Sequence, residues 1–358
     1  MKLKTLGVLA VAVVALAGLA YVIIQPAETP TTESVLGQKL FEDLQVRDID
    51  RILITGHEGQ VTLHSSPDGW AVADRNGFPA DFSRIAELVK KVQDLKIGRS
   101  FQASEEIQTR LALHIPGKAD IPGPQKGTRI RFETDQGAPL VDMLVGSARQ
   151  SSSASGGQYV MPLDGSEVYL VDKTFRFLNT NPVEWLNREL LNVETDHILR
   201  IEAYAVASDK PLYTLMRTEP ETDFTLKPAP SSGQVEQAEV KRVTEALTPL
   251  RIEDVQSREK PITARHRFEY TLSDNRRYTV TIGEKKEADE GETLYRVQLD
   301  AGVIERSEKT PGQNPSDPEE RMDQQKDHLS QWTYLVSEWE IDNFITDPQK
   351  FTSSKEPE

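Results

Sequence analysis

Between residues 48 and 72 apolar positions recur two apart: Ile52 and Ile54, Val61 and Leu63, Trp70 and Val72. Turn formers separate them, Gly56-His57-Glu58-Gly59 and Ser66-Pro67-Asp68-Gly69. Successive side chains of a strand point to opposite faces, so this alternation predicts a small antiparallel meander. The period then changes. After Pro79-Ala80-Asp81-Phe82-Ser83, the residues Ile85, Leu88, Val89, Val92 and Leu95 fall on one helical stripe, with Asp81 or Ser83 as cap and lysines on the other side. Beyond a stretch rich in proline and glycine, Pro116 to Gly127, strand spacing resumes at Ile130 and Phe132, Leu140 to Val145, Tyr159 and Met161, and Val168 to Val171. A short segment with Phe175, Phe177 and Trp185 follows.

The second half repeats this order. Ile198 to Ala203 and Leu212 to Met216 read as strands, Phe224 and Leu226 stand where Trp70 and Val72 stood, and Val240, Val243, Leu247 and Leu250 rebuild the helix stripe. Arg129-Ile130-Arg131-Phe132-Glu133 matches Arg265-His266-Arg267-Phe268-Glu269, and Leu144-Val145-Gly146 matches Thr281-Ile282-Gly283. Tyr169-Leu170-Val171 matches Tyr334-Leu335-Val336, and Asn181-Pro182 matches Asp347-Pro348. The shared order predicts a tandem duplication of about 150 residues. The halves differ at an extra segment, Phe101 to Gly127, and at a polar insertion, Glu305 to His328, which reads as a solvated loop.

Ahead of the repeats, Leu6 to Ile24 is unbroken in apolar or small residues and follows Lys2 and Lys4. As a helix it would be roughly 28 Å long, enough for the ~30 Å core of a bilayer. The lysines keep the N-terminus inside, and Glu28 and Glu33 lie beyond the span. A cleaved leader competes through Ala15-Leu16-Ala17 and Ala20, but the run continues through Tyr21 to Ile24. The expected architecture is therefore α+β: one N-terminal transmembrane helix and two tandem repeats, each a mostly antiparallel sheet with a packed amphipathic helix. The expected boundaries are an anchor at 1–25, a linker at 26–43, repeats at 44–192 and 193–352, and a tail at 353–358.

Charge and composition narrow the chemistry. Lys and Arg total 42 against 57 Asp and Glu, a net charge of -15, which argues against nucleic acid as a partner. The chain has no cysteine, which removes thiol catalysis, disulfides and thiolate metal sites. Phosphate loops, GxGxxG, HExxH and GxSxG are absent. Ser257-Arg258-Glu259-Lys260 fits an SxxK spacing without its companion motifs. The histidines His57, His64, His114, His197, His266 and His328 are scattered, and the acidic runs Glu284 to Glu292 and Asp317 to Asp323 lack the spacing of a calcium loop. No catalytic residue, cofactor or metal site is expected. Arg129, Arg131, Arg265 and Arg267 alternate along their strands, so each pair shares the face opposite the apolar one. These four are the candidate partner contacts, a basic strip on an acidic protein.

Val61-Thr62-Leu63, Asp68-Gly69-Trp70, Gly77-Phe78-Pro79-Ala80-Asp81, Gly157-Gln158-Tyr159-Val160 and Val168-Tyr169-Leu170-Val171-Asp172, behind a leading anchor, resemble the bacterial family called domain of unknown function 4340. The resemblance covers most of residues 44 to 205, and the second half more weakly. It departs from the pattern at Leu111 to Gly127, where members more often have a compact Gly-Leu turn. The resemblance implies a single-pass protein of the cytoplasmic (inner) membrane with its C-terminal domains in the periplasm or outside. It also implies an auxiliary component of a gliding-motility-type ABC transport system, with permease and ATPase subunits as partners, and it brings no catalytic residues. The expected function is a non-catalytic accessory subunit that binds protein or polymer. The alternatives are an envelope glycan- or peptide-acting enzyme and a periplasmic small-ligand receptor.

Overall fold

The computed structural model describes residues 36–149, 156–206, 208–220, 222–229, 235–259, 262–287, 292–303 and 326–352. The expected anchor at 6–24, the linker up to residue 35, the insertion as far as residue 325 and the tail at 353–358 lie outside the described residues. Among the described residues no helix is long and apolar enough to cross a membrane.

The fold is α+β, mostly antiparallel sheet with few helices. The first elements are β1 (Arg51–Thr55), β2 (Gln60–Ser66), β3 (Gly69–Val72), β4 (Phe78–Pro79) and helix α1 (Phe82–Gln93). Then come β5 (Ile97–Gln102), α2 (Glu105–Arg110), β6 (Thr128–Glu133), β7 (Pro139–Ala148), β8 (Gln158–Pro162) and β9 (Glu167–Val171). The chain continues through β10 (Glu189–Leu191), β11 (Ile198–Ala205), β12 (Pro211–Met216), β13 (Thr225–Lys227), α3 (Gln237–Glu245), β14 (Leu250–Arg251) and β15 (Asp254–Ser257). It ends with β16 (His266–Leu272), β17 (Arg276–Glu287), β18 (Thr293–Val303), β19 (Trp332–Ser337) and α4 (Glu338–Ile341).

Local chemistry explains these boundaries. Asp81 caps α1 by accepting the Arg84 N–H at 3.2 Å, and Ile85, Leu88, Val89 and Val92 are buried along its stripe. In α3 the stripe stops earlier than its spacing predicts. The helix ends at Glu245, and Leu247 and Leu250 are buried beyond it, because Pro249 cannot continue a helix and disfavours the helical conformation in the residue before it. Helix α2 carries no long periodic stripe, yet it has its own cap, Ser104 accepting the Ile107 N–H at 3.3 Å.

Hydrogen-bonded neighbours run β4-β3-β2-β1-β6-β7-β8-β9-β5 in one sheet and β13-β12-β11-β16-β17-β18-β19-β15 in another, with β10-β14 as a separate pair. By contact the chain forms two compact units. Among the described residues, one is built from 36–49, 54–58 and 87–178, the other from 50–53, 59–86 and 179–352. In the first unit β7 is buried on both faces, because Leu144 and Val145 are both inaccessible. On the Leu144 face lies a small separate core of Leu111, Leu113, Leu144, Met161 and Val168, with Phe101 and Ile107 packed against it. In the second unit, α3 is tied to β16 by the Tyr270 hydroxyl, which donates to the Val243 carbonyl at 3.0 Å. Tyr213 donates to the Ile345 carbonyl at 2.8 Å and packs edge-on against Phe351.

Candidate functional site

Residues two apart on a strand share a face, and in both units arginines and carboxylates use that spacing to pair. Arg129 donates two bonds to Asp142 across the β6–β7 ladder, at 2.7 and 2.6 Å, and the bonded carboxylate raises its pKa against the lowering effect of burial. Arg131 Nε lies 2.7 Å from Glu133 without the alignment of a hydrogen bond. Arg267 Nε is 3.3 Å from Glu269, and its guanidinium sits 4.4 Å over the Tyr204 ring. Arg200 repeats the pattern with Glu202 at 2.7 Å. Arg265 is exposed. The expected basic strip is thus interleaved with carboxylates, and only Arg265 stands at the surface as a bare cation would.

The register also places these arginines differently from the sequence match. Val145 pairs with Val160 and Ile282 with Val297, which upholds the correspondence of Gly146 with Gly283. On that frame Arg129, opposite Leu144, corresponds to Arg267, opposite Thr281. Arg131, opposite Asp142, corresponds to Glu269, opposite Thr279. The sequence match is displaced by one full strand period. Such a slip keeps every side chain on its face, so the hydrophobic pattern cannot detect it.

A feature that the sequence reading missed lies on the second unit's sheet. A cavity of about 330 Å³ opens beside β15, β17, β18 and β19, lined by Gln256, Ser257, Glu284, Arg296 and Thr333, with Glu259 and Ile262 from the link after β15. Arg296 donates to Glu284, which also accepts the Thr263 N–H at 2.9 Å. Burial would raise the Glu284 carboxyl, but its own backbone hydrogen bond, Arg296 and the Thr263 N–H together hold it below its ordinary value. Beneath them Gln298 and Thr333 are 5% and 4% exposed, and the Gln298 amide donates to the Thr333 hydroxyl at 3.0 Å. Ser257 and Glu259 come from the SxxK-spaced stretch. Lys260 lies outside the described residues.

A second cavity of about 330 Å³ is lined in part by Glu194, His197, Arg276 and Tyr278. The turn at Thr195–His197 brings one ligand atom each from Glu194, Asp196 and His197 within 4.8 Å of one another, all three residues being exposed. This donor set suits a divalent cation, though exposed acidic groups gather this way without one. His57 is half exposed and 3.3 Å from Glu58. His114 is buried, with Nε2 bonded to the Thr109 hydroxyl at 2.9 Å.

The family model described as "Domain of unknown function (DUF4340)" matches residues 70–274. The chain belongs to that family. No curated protein and no solved structure matches it. The DUF4340 match starts later than the resemblance read from the sequence and reaches further, through α3 and β16. It includes the four arginines and Gln256 and Ser257, and it leaves Glu284, Arg296 and Thr333 outside.

Proposed function

We propose that this DUF4340 protein is a non-catalytic, membrane-anchored accessory subunit of an ABC-type transport or export complex, acting outside the cytoplasmic membrane by binding protein or polymer. The observation that carries the binding reading is the pairing of charged groups on the sheet faces: Arg129 with Asp142, Arg267 with Glu269, Arg296 with Glu284. A general acid or base must exchange a proton near the working pH. The Asp142 contact instead raises the Arg129 pKa, and Glu284 is held below its ordinary value with Arg296 among the causes, which favours the charged forms and suits recognition. The apolar run from Leu6 to Ile24 in the sequence and the family resemblance support the location and the transport setting. The common strand order of β11-β16-β17-β18-β19-β15 and β1-β6-β7-β8-β9-β5 supports an internal duplication, so that one scaffold presents two related surfaces.

The test is a mild-detergent purification of the intact protein from its native host, with mass spectrometry of what accompanies it and a truncation beginning at Glu33 as control. Co-purification of an ABC permease and ATPase with the full-length chain is expected. If nothing specific is recovered at a depth that shows other envelope complexes, the stable-subunit role fails.

A further inference from the structure

In the first unit a row of side chains crosses four neighbouring strands. Leu144 on β7 stands opposite Met161 on β8, and Val168 on β9 opposite Phe101 on β5. All four belong to the small core or pack against it. The cover is the link between β5 and β6, residues 103–127, which contributes Leu111 and Leu113. It lies so close that a Cβ on Gly146 would come within 2.8 Å of the Leu113 side chain.

The corresponding row in the second unit reads Thr281 on β17 opposite Gln298 on β18, and Thr333 on β19 opposite Gln256 on β15. Four apolar side chains have become two amides and two hydroxyls. The link after β15 is much shorter, residues 258–265, and the cavity of about 330 Å³ is lined by the Gln256 and Thr333 end of this row, with Gln298 bonded to Thr333 behind it. Burying an amide or hydroxyl costs free energy unless it is hydrogen-bonded. A sheet needing only a packed face would therefore be better served by the apolar row that its counterpart carries. A polar row that ends in the wall of a cavity, at Gln256 and Thr333, fits a site that hydrogen-bonds a ligand.

We propose that this cavity binds a neutral, hydroxyl-rich ligand the size of one or two sugar rings. Amides and hydroxyls both donate and accept, as the hydroxyls of such a ligand do. The charges argue against the other classes. Arg296, the one cation among the described lining residues, is already engaged by Glu284, so it offers an anion no unpaired charge. The exposed Glu259 adds negative charge at the rim, where a solvated carboxylate attracts a cation only weakly. The volume lies at the small end of ligand pockets, roughly 300–1,000 Å³. This proposal does not depend on the transport partner.

The experiment is isothermal titration calorimetry of the full-length protein in a detergent without a sugar headgroup. Maltose, cellobiose and N,N′-diacetylchitobiose are the probes, with inorganic phosphate and putrescine as the anionic and cationic comparators. Saturable binding of at least one disaccharide, with Kd below about 1 mM, is expected. Gln256→Ala, at a half-buried position, and Thr333→Val, nearly isosteric, should each weaken it about tenfold, with melting curves confirming that the fold persists. The proposal is overturned if no disaccharide binds, if only phosphate or putrescine binds, or if disaccharide binding is unchanged in both folded variants.

Discussion

The contrast between the two sheet faces makes a quantitative prediction at paired glycines. Gly146 and Gly283 occupy corresponding positions, and neither has a positive φ, so an alanine backbone fits at both. Replacing glycine there should stabilise by about 0.4–1 kcal/mol through the unfolded chain, provided the methyl has room. At Gly146 it has none. The new Cβ would press into the Leu111 carbonyl oxygen and lie 2.8 Å from Leu113 Cδ2. That carbonyl accepts the Ser147 N–H at 2.7 Å, so the covering segment must move and the bond must break. Overpacking costs about 1–3 kcal/mol and a lost hydrogen bond about 0.5–1.5 kcal/mol, which leaves Gly146→Ala destabilised by about 1–4 kcal/mol. At Gly283 the methyl meets Ile262 Cδ1 at 3.0 Å and, at 3.2 Å each, Ile262 Cβ and the Arg296 carbonyl, so its neighbours need shift only by tenths of an ångström. Gly283→Ala should therefore stay within about 1 kcal/mol of the parent. Amide hydrogen exchange reads the effect locally. Gly146→Ala should lose protection at Ser147, at Leu113, which donates to Gln108, and at Gly127, which donates to His114. Equal protection in the Gly146 variant and the parent, or equal costs at the two glycines, would refute the packing argument.

Two further outcomes follow from the charged and titratable groups. Asp142→Asn weakens the paired Arg129 contact and should cost about 1–2 kcal/mol in thermal or urea unfolding, whereas Arg265→Ala at an exposed site should stay within about 0.5 kcal/mol; a larger loss at Arg265 contradicts the assignment of pairs. His328 packs edge-on against Trp332 at 5.0 Å, and burial lowers its pKa from 6.5, with Asp68 opposing. The unfolded chain then binds the proton more readily, so this contribution to stability is present above pH 6.5 and is lost as the pH falls through the lower folded value. His328→Gln should flatten that limb of the stability profile, and an unchanged profile would remove His328 as its source.

What the sequence revealed follows from which physical signals are local. The strands at Ile52 to Leu63 and the stripe of α1 are written in residues two, three or four apart, and the structure places them as the spacing predicts, except that α1 ends at Gln93 and leaves Leu95 buried just beyond it. The end of α3 was equally local, since Pro249 sits inside the apparent stripe, but the apolar spacing of Leu247 and Leu250 masked it. The arginine register could not be read from pattern alone: sliding Arg129 from Arg265 to Arg267 changes no side chain's face. The cavity is a harder case, because the polar row at its edge, Gln256, Thr281, Gln298 and Thr333, comes from four strands and each residue looks like an ordinary solvent-facing position in its own. A usable signal was nonetheless present. Once Tyr169 is matched with Tyr334, Val168 falls on Thr333, and the match of Val145 with Ile282 sets Leu144 on Thr281. Two apolar-to-polar exchanges in one row, together with a covering segment present in only one half, mark a face whose packing has been given up. In a duplicated fold, the positions where the halves disagree in polarity locate a site better than the positions where they agree, because agreement at Val145-Gly146 or Tyr169 reports the demands of the shared core.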